Sequence, residues 1–207
     1  MDTTLIFEAC VETLEAALAA ERRGANRIEL CSSLDQDGLT PSPELTKQCV
    51  QNLSIPVMAM VRPRGDNFVY TEKEILQMES EIEFFKQSGV AGVVFGLLKE
   101  DGAIDVKNTR RLAKLAFPLE ITFHKAIDYS NDVLNSFREL NAIAGITRVL
   151  TSGGMDTAWN GREIIKQMQE LPDRRIKIIA AGKVLPGNRV QIAEFTGVSE
   201  LHGQRIV

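Results

Sequence analysis

Four short stretches share one pattern and decide the fold: GANRIEL (24–30), GVAGVVF (89–95), GITRVLT (145–151) and GVSELHG (197–203). Each stretch begins with Gly, passes through a small or apolar residue and two variable positions, and continues as a short strand. Each also follows a segment with helical periodicity, and Gly is the usual residue at a left-handed C-terminal helix cap. The recurrence therefore predicts a helix followed by a strand, four times along the chain.

The remaining strand signals alternate with these four units. The first strand is LIFEAC (5–10), and a proline introduces each of IPVMAMV (55–61), FPLEITF (117–123) and LPDRRIKIIA (171–180). Helical patterns lie between the strands, and the longest opens with Thr71 and Glu74 at the spacing of a capping box. The predicted helices cover 12–23, 43–52, 72–88, 105–115, 131–143, 157–169 and 188–195.

Eight short strands that alternate with helices predict a parallel sheet, buried on both faces. At 207 residues, we expect a single (β/α)8 TIM-barrel domain over 1–207. An open doubly wound sheet is the alternative, but CVETLE (10–15) carries no dinucleotide fingerprint, so no nucleotide cofactor is expected. Only GQRIV follows His202, so the last helix is expected to be missing. A partner subunit in a homodimer or higher homo-oligomer would then cover the groove between the first and seventh helices.

Composition excludes several classes of function. A formal net charge of −4 and the lack of a Lys/Arg run argue against a nucleic-acid partner. No apolar run approaches the roughly 20 residues of a membrane span, and the start lacks the basic region of a signal peptide. Three cysteines leave an odd number for a disulfide framework, which favours the reducing cytoplasm.

The second predicted strand, RIELC (27–31), is expected to place charged and thiol side chains inside the barrel. Its apolar residues Ile28 and Leu30 alternate with Arg27, Glu29 and Cys31. Because successive strand residues point to opposite faces, the apolar pair shares one face and the other three residues share the opposite one. In a closed barrel the apolar face meets the outer helices, so the acid, the base and the thiol point inward.

The first strand repeats this arrangement, with Glu8 two residues before Cys10. Neighbouring parallel strands lie about 4.8 Å apart, so we expect Glu8 near Glu29 and Cys10 near Cys31. Buried charges need partners or neutralisation. The expected counter-charges are Arg27, Arg62 and Arg148.

Other polar residues fall at the C-terminal ends of strands, where TIM-barrel active sites lie. Both histidines of the chain are among them. The acid–base candidates are Glu8, Glu29, His124 and His202. The candidates for binding an anionic substrate are Arg62, Arg64, Lys125, Asp128, Ser152, Gly153 and Gly182, with backbone N–H groups at 152–154 and 182 offered to a phosphate.

Several blocks of the sequence resemble the CutC family, whose members are named as copper homeostasis proteins. The resemblance spans about residues 6–204 and is carried by RIELCSSLDQDGLTPS (27–42), RPRGDNFVYT (62–71), GVVFGLLKEDGAIDV (92–106), TFHKAIDY (122–129), RVLTSGG (148–154) and ELHG (200–203). It implies a TIM barrel and a cytoplasmic protein of copper handling, with Cys10 and Cys31 as Cu(I) ligands.

The chain departs from the family pattern at several points, among them AAGKV (180–184), where the family has a more Gly-rich turn, and two other loops. It reads RPRGDNF (62–68) where the family usually reads RPRGGDF, and FHKAID (123–128) where the family usually reads FHRAFD. Lys125 keeps the positive charge of that Arg but lacks its bidentate fork, which weakens planar recognition of a carboxylate or phosphate.

Two functions follow from the same residues. Thiolates and thioethers select Cu(I), so Cys10 and Cys31 could hold a copper ion, although Glu8 and Glu29 oppose thiolate formation. Alternatively, the two glutamates compete to ionise and form an acid–base pair. The chain would then be an isomerase, lyase or hydrolase for a small anionic, oxygen-rich substrate. The sequence leaves both alternatives open.

Overall fold

The computed structural model describes residues 4–207 as a closed barrel of eight parallel strands in chain order. This confirms the predicted (β/α)8 TIM barrel and excludes the open doubly wound sheet. The strands are β1 (Ile6–Val11), β2 (Arg27–Leu30), β3 (Val57–Met60), β4 (Gly92–Phe95), β5 (Glu120–Phe123), β6 (Arg148–Thr151), β7 (Lys177–Ala180) and β8 (Glu200–Gly203).

Seven α-helices connect the strands in this part of the chain. Each of them overlaps a helix predicted from the sequence. They are α1 (Leu14–Arg22), α2 (Pro43–Asn52), α3 (Glu72–Ser88), α4 (Val106–Ala116), α5 (Val133–Asn141), α6 (Arg162–Gln169) and α7 (Arg189–Thr196).

The helix ends follow the signals in the sequence. Thr71 and Glu74 form the predicted capping box at the start of α3. Gly89 ends this helix with φ of 80°, in the left-handed region that a residue with a Cβ enters only with strain. Gly197 ends α7 in the same way, with φ of 77°.

Two layers of packing follow from the alternation along the strands. The outward residues of β2, Ile28 and Leu30, are fully buried in the large apolar core that also contains the inner faces of the helices. The inward residues form separate groups, one of which is the small apolar cluster of Leu150, Ile179 and Ala181. The other inward groups are polar or contain sulfur, and they carry the candidate site.

The residues after β8 pack against the barrel. Ile206 is fully buried, and its carbonyl accepts a hydrogen bond from Arg189 of α7. The Arg189 guanidinium also lies 3.9 Å from the centre of the Phe7 ring in β1. Among residues 4–207, none of the helices is both long and apolar enough to cross a bilayer. The homo-oligomer stays a prediction.

Candidate functional site

The N-terminal end of the barrel interior is closed by charged residues, here called the ionic floor: Glu8, Arg27, Arg148 and Glu200. Arg27 donates from Nε to Glu8 and from Nη2 to Glu200, the latter at 2.6 Å. Arg148 Nε donates to the same Glu200 oxygen at 2.9 Å. All four residues are at least nine-tenths buried. Arg27 and Arg148 are therefore counter-charges, as predicted.

The strand register differs from a simple side-by-side arrangement. Glu8 lies opposite Arg27, and Cys10 lies opposite Glu29, so β2 is offset by two residues relative to β1. Strands in a closed barrel are tilted and staggered, which accounts for this offset. The thiols still meet, because Cys10 Sγ lies 3.8 Å from Cys31 Sγ just past the end of β2. The predicted proximity of the two cysteines is confirmed.

His202 joins the two glutamates. Because β8 pairs with β1, His202 lies opposite Glu8, and its Nδ1 is 2.9 Å from Glu8 Oε1. Its Nε2 is 3.6 Å from Glu29 Oε2. One oxygen of each glutamate and one nitrogen of His202 lie within 4.8 Å of one another. The predicted proximity of Glu8 and Glu29 is confirmed, with the imidazole between them.

The surroundings drive the pKa values of the two glutamates apart. Burial opposes ionisation of Glu8, but Arg27 and His202 outweigh it and lower the pKa of Glu8 to about 2. Burial and the charge on Glu8 raise the pKa of Glu29, against the opposing effect of His202. Burial lowers the pKa of His202, but Glu29, Cys10 and Glu8 together raise it well above its ordinary value. The site therefore favours the imidazolium form of His202.

Above the ionic floor lies a group of four sulfur-bearing residues, here called the sulfur cluster: Cys10, Cys31, Met58 and Met60. All four are buried, and they pack together. Cys31 Sγ also lies 3.6 Å from Glu29 Oε2. One ligand atom from each of Cys10, Cys31 and Glu29 falls within 4.8 Å of the others, so a single ion could contact all three.

Both thiols of the sulfur cluster are protonated at neutral pH. The hydrogen bond with Cys31, followed by burial, raises the pKa of Cys10 well above its ordinary value. The bond with Cys10 lowers the pKa of Cys31, but burial and Glu29 outweigh it and raise that pKa to about 11. Thiols of this kind are poor nucleophiles, and a metal would have to displace their protons.

A cavity of about 490 Å³ opens at the C-terminal ends of the strands. Cys10, Met60 and His202 line it together with His124, so it connects the sulfur cluster to both histidines. Its charged lining residues are Glu29, Asp37, Arg62, Lys125, Lys183 and Arg205.

His124 follows β5 and is held in one tautomer. Its Nδ1 accepts a hydrogen bond from the Ala126 backbone at 3.1 Å, so the ring proton is assigned to Nε2. Burial, followed by the charge on Arg62, lowers the pKa of His124 to about 3. The ring is therefore neutral at physiological pH and presents an N–H donor.

The predicted phosphate site at 152–154 is already filled by the protein. Asp128 accepts hydrogen bonds from the backbone N–H groups of Ser152 and Gly154, and Gly153 donates to the Thr151 hydroxyl. Lys125 donates to Asp128 at 2.8 Å. The expectation that these amides are free for a phosphate is wrong, because the Asp128 carboxylate occupies the place of the anion. Gly182 still lines the cavity.

The two arginines of RPRG have different surroundings. Arg62 lines the cavity, but its guanidinium donates to the backbone carbonyls of Gln36, Gly38 and Asp66. Its predicted role as a counter-charge for the glutamates is therefore wrong. Arg64 does not line the cavity and instead pairs with Glu74 at 2.6 Å.

Sequence reasoning missed several polar residues of the site. Glu200 shares the inward face of β8 with His202, so alternation by two could have identified it as a partner of Arg27. Asp37 and Arg205 line the cavity from loops. No periodic pattern applies in a loop, and the sequence carried no signal for these two.

The chain is similar to proteins and to a solved structure of one family. The CutC family model matches residues 5–207. The human copper homeostasis protein cutC homolog is 40% identical over 197 residues, which covers 95% of this chain and 72% of that protein. The Treponema denticola family protein CutC is 42% identical over 196 residues, covering 95% and 79%. A crystal structure of CutC from Streptococcus agalactiae superposes with a TM-score of 0.92 at 32% identity, covering 99% of this chain and 100% of that one. The chain belongs to the CutC family.

Proposed function

We propose that this protein takes part in copper homeostasis by binding Cu(I) as cargo between Cys10 and Cys31. The observation that carries the proposal is the pair of buried sulfur atoms 3.8 Å apart, one of which, Cys10 Sγ, belongs to a residue that lines the cavity. The name of the human relative supports the copper role. Free, reduced cysteines fit a location in the cytoplasm, where Cu(I) is the stable oxidation state.

The composition of the sulfur cluster favours a soft monovalent ion. Thiolate and thioether ligands select Cu(I) over hard cations. Met60 lines the same cavity as Cys10, so a thioether is available beside the two thiols. Entry of copper would replace the thiol protons, and the positive charge of the ion would offset the charge left on sulfur.

The neighbouring charges fit this exchange. His202 carries a positive charge within reach of Glu29, so the surroundings of the thiols are less negative than two bare glutamates would make them. Glu29 itself has a raised pKa, which limits its repulsion of a thiolate. These features reduce, without removing, the electrostatic opposition of the glutamates to thiolate formation.

The test is an anaerobic titration of the reduced protein with Cu(I) against a competing chelator. We expect one tightly bound ion per chain in the wild type and loss of this binding in the Cys10→Ser/Cys31→Ser double variant. Cys49→Ser is the matched control, because Cys49 is equally buried but lies in the apolar core between strands and helices. Retained binding in the double variant, or equal loss in the control, would contradict the proposal.

The affinity for Cu(I) should rise with pH. Both thiols have raised pKa values, that of Cys31 to about 11, so binding near neutral pH releases one to two protons. The apparent binding constant then increases by roughly ten- to a hundredfold per pH unit. Titrations between pH 6 and pH 8 measure this slope, and a slope of zero would mean that the thiols are not the ligands.

The enzymatic alternative stays a prediction. Glu8, Glu29 and His202 have the separated pKa values of an acid–base group. His124 is less suited to a role as base, since its Nδ1 is used by the backbone and its Nε2 carries the proton. The proposal above rests on the sulfur pair and does not require a reaction.

A further inference from the structure

The cavity above the sulfur cluster is cationic in an otherwise acidic protein. The chain has a formal net charge of −4. The cavity is lined by four Lys and Arg side chains, Arg62, Lys125, Lys183 and Arg205, and by His202, against the two acidic side chains of Glu29 and Asp37. Such a local excess of positive charge in a concave site attracts and concentrates anions.

Two buried donors in the lining have no partner. Among residues 4–207, His124 Nε2 and Arg62 Nε are both enclosed and make no hydrogen bond of normal geometry, and only Arg62 has a further unpaired group beside it, the Tyr70 hydroxyl. Each of these two residues is only 4% exposed. A buried donor without an acceptor is costly, so such groups in a cavity wall indicate a missing acceptor.

The two donors are held rigidly against one aromatic ring. The Arg62 guanidinium lies 5.0 Å from the centre of the Phe68 ring, and the His124 ring centre lies 5.0 Å from the same point. The remaining donors of Arg62 are fixed by backbone carbonyls, and Nδ1 of His124 is fixed by Ala126. Neither side chain can turn away to find another acceptor without breaking these bonds.

The rim of the cavity adds exposed positive charge. Lys183 and Arg205 are exposed, whereas Lys125 is paired with Asp128. Lys183 follows Gly182 and has φ of 54°, in the left-handed region that a residue with a Cβ adopts only under constraint. Lys183 thus occupies a position where glycine would be less strained.

We propose that this cavity binds a small organic anion. Its carboxylate or phosphate group would accept a hydrogen bond from His124 Nε2, with Lys183 and Arg205 at the rim supplying positive charge. The apolar lining residues Leu150, Val184 and Leu185 would contact a short carbon skeleton. A volume of about 490 Å³ lies in the range of small-molecule sites. This inference goes beyond copper binding, since it concerns the upper wall of the cavity.

Two probes distinguish the anionic group: inorganic phosphate and succinate, each titrated calorimetrically into the full-length protein. We expect the wild type to bind at least one of them, and the tighter probe identifies the group as phosphate or carboxylate. The Lys183→Gly/Arg205→Ala double variant should bind it at least tenfold more weakly. Glycine at 183 suits the local backbone, so this variant is expected to fold.

Two further variants sharpen the test. His124→Phe keeps an aromatic ring beside Phe68 but removes the donor, and it should also weaken binding at least tenfold. The Lys47→Ala/Lys107→Ala control removes the same charge from exposed positions on α2 and α4 and should bind like the wild type. Wild-type affinity in both cavity variants, or no binding of either probe by the wild type, would overturn the proposal.

The copper proposal and the anion proposal can be tested independently of each other. The Cys10→Ser/Cys31→Ser variant should keep its affinity for the anionic probe, because the thiols lie below the proposed oxyanion contacts. A loss of copper binding with retained anion binding therefore tests the sulfur pair alone.

Discussion

The ionic floor and the cavity above it differ in how completely their polar atoms are paired. In the floor, Arg27 and Arg148 bind Glu8 and Glu200 through short, buried contacts. No fully enclosed side-chain nitrogen or oxygen of these four residues is left without a partner in the described structure. The floor therefore has the properties of a structural element that holds the strands together.

The layer above it is paired incompletely. Glu29 Oε1, His124 Nε2 and Arg62 Nε are all enclosed without a hydrogen-bond partner. Two thiols lie in contact and remain protonated because their pKa values are raised. A barrel interior can thus combine a layer whose enclosed polar atoms are all paired with a layer in which some enclosed polar atoms have no partner.

The largest effect is expected from breaking the floor. Arg27→Met would leave Glu8 and Glu200 buried without their shared counter-charge. Removing one partner of a buried ion pair costs about 3–5 kcal/mol, so the free energy of unfolding should fall by about that amount. Denaturant unfolding of the variant and wild type measures the difference.

Arg111→Met is the matched control for this change. Arg111 also pairs with two glutamates, Glu72 at 2.6 Å and Glu79 at 2.7 Å, but on the helical surface. Exposed ion pairs contribute little because water and salt screen them. A loss of stability in Arg27→Met no larger than that in Arg111→Met would mean that the floor is not a structural element.

A smaller effect is expected from acid. The pKa of Glu8 is lowered to about 2, so its ionised form stabilises the fold above the ordinary value of 4.5. That stability, about 3 kcal/mol, is lost as the pH falls from 4.5 through about 2. Free energies of unfolding measured along this range should decline in the wild type and stay flatter in Glu8→Gln. Equal slopes for both proteins would argue against Glu8 as the acid-sensitive group.

Local sequence patterns predicted the barrel well because each unit carries its own signals. The glycine of GVAGVVF ends α3 as expected, and the Glu-x-Cys pattern of β1 and β2 brought Cys10 and Cys31 together. These inferences need only alternation along a strand, helix capping and the neighbourhood of consecutive strands.

Contacts between distant segments could not be predicted in the same way. His202 meets Glu8 because the barrel closes between β8 and β1, across 194 residues of sequence. Asp128 accepts hydrogen bonds from the amides of Ser152 and Gly154, and Arg62 donates to loop carbonyls. Both contacts depend on folded loops, which have no periodic pattern. The residues of the site were therefore easier to identify than their partners.

The smallest effect on stability is expected at Glu29, the counterpart of Glu8 across His202. Its pKa is raised because burial and Glu8 disfavour its charge, so the folded protein holds this proton more tightly than the unfolded chain does. Stability should therefore fall as the pH rises from 4.5 through the raised value. Glu29→Gln removes this penalty while keeping the shape of the side chain. At pH 8 it should match or exceed the wild type in free energy of unfolding.

Comparing the stabilities of the Glu8→Gln and Glu29→Gln variants at neutral pH distinguishes the ionic floor from the layer above it. Glu8→Gln leaves Arg27 without its closest carboxylate and should be clearly destabilised, whereas Glu29→Gln removes a carboxyl that has one oxygen without a partner. The free energy of unfolding of Glu29→Gln, relative to that of the wild type, should increase from pH 4 to pH 8. At pH 4 the Glu29 carboxyl of the wild type is largely protonated in both the folded and the unfolded state, so its raised pKa has little effect on stability there. If both variants lose the same stability, Glu29 belongs to the floor, and the cavity begins only at the thiols.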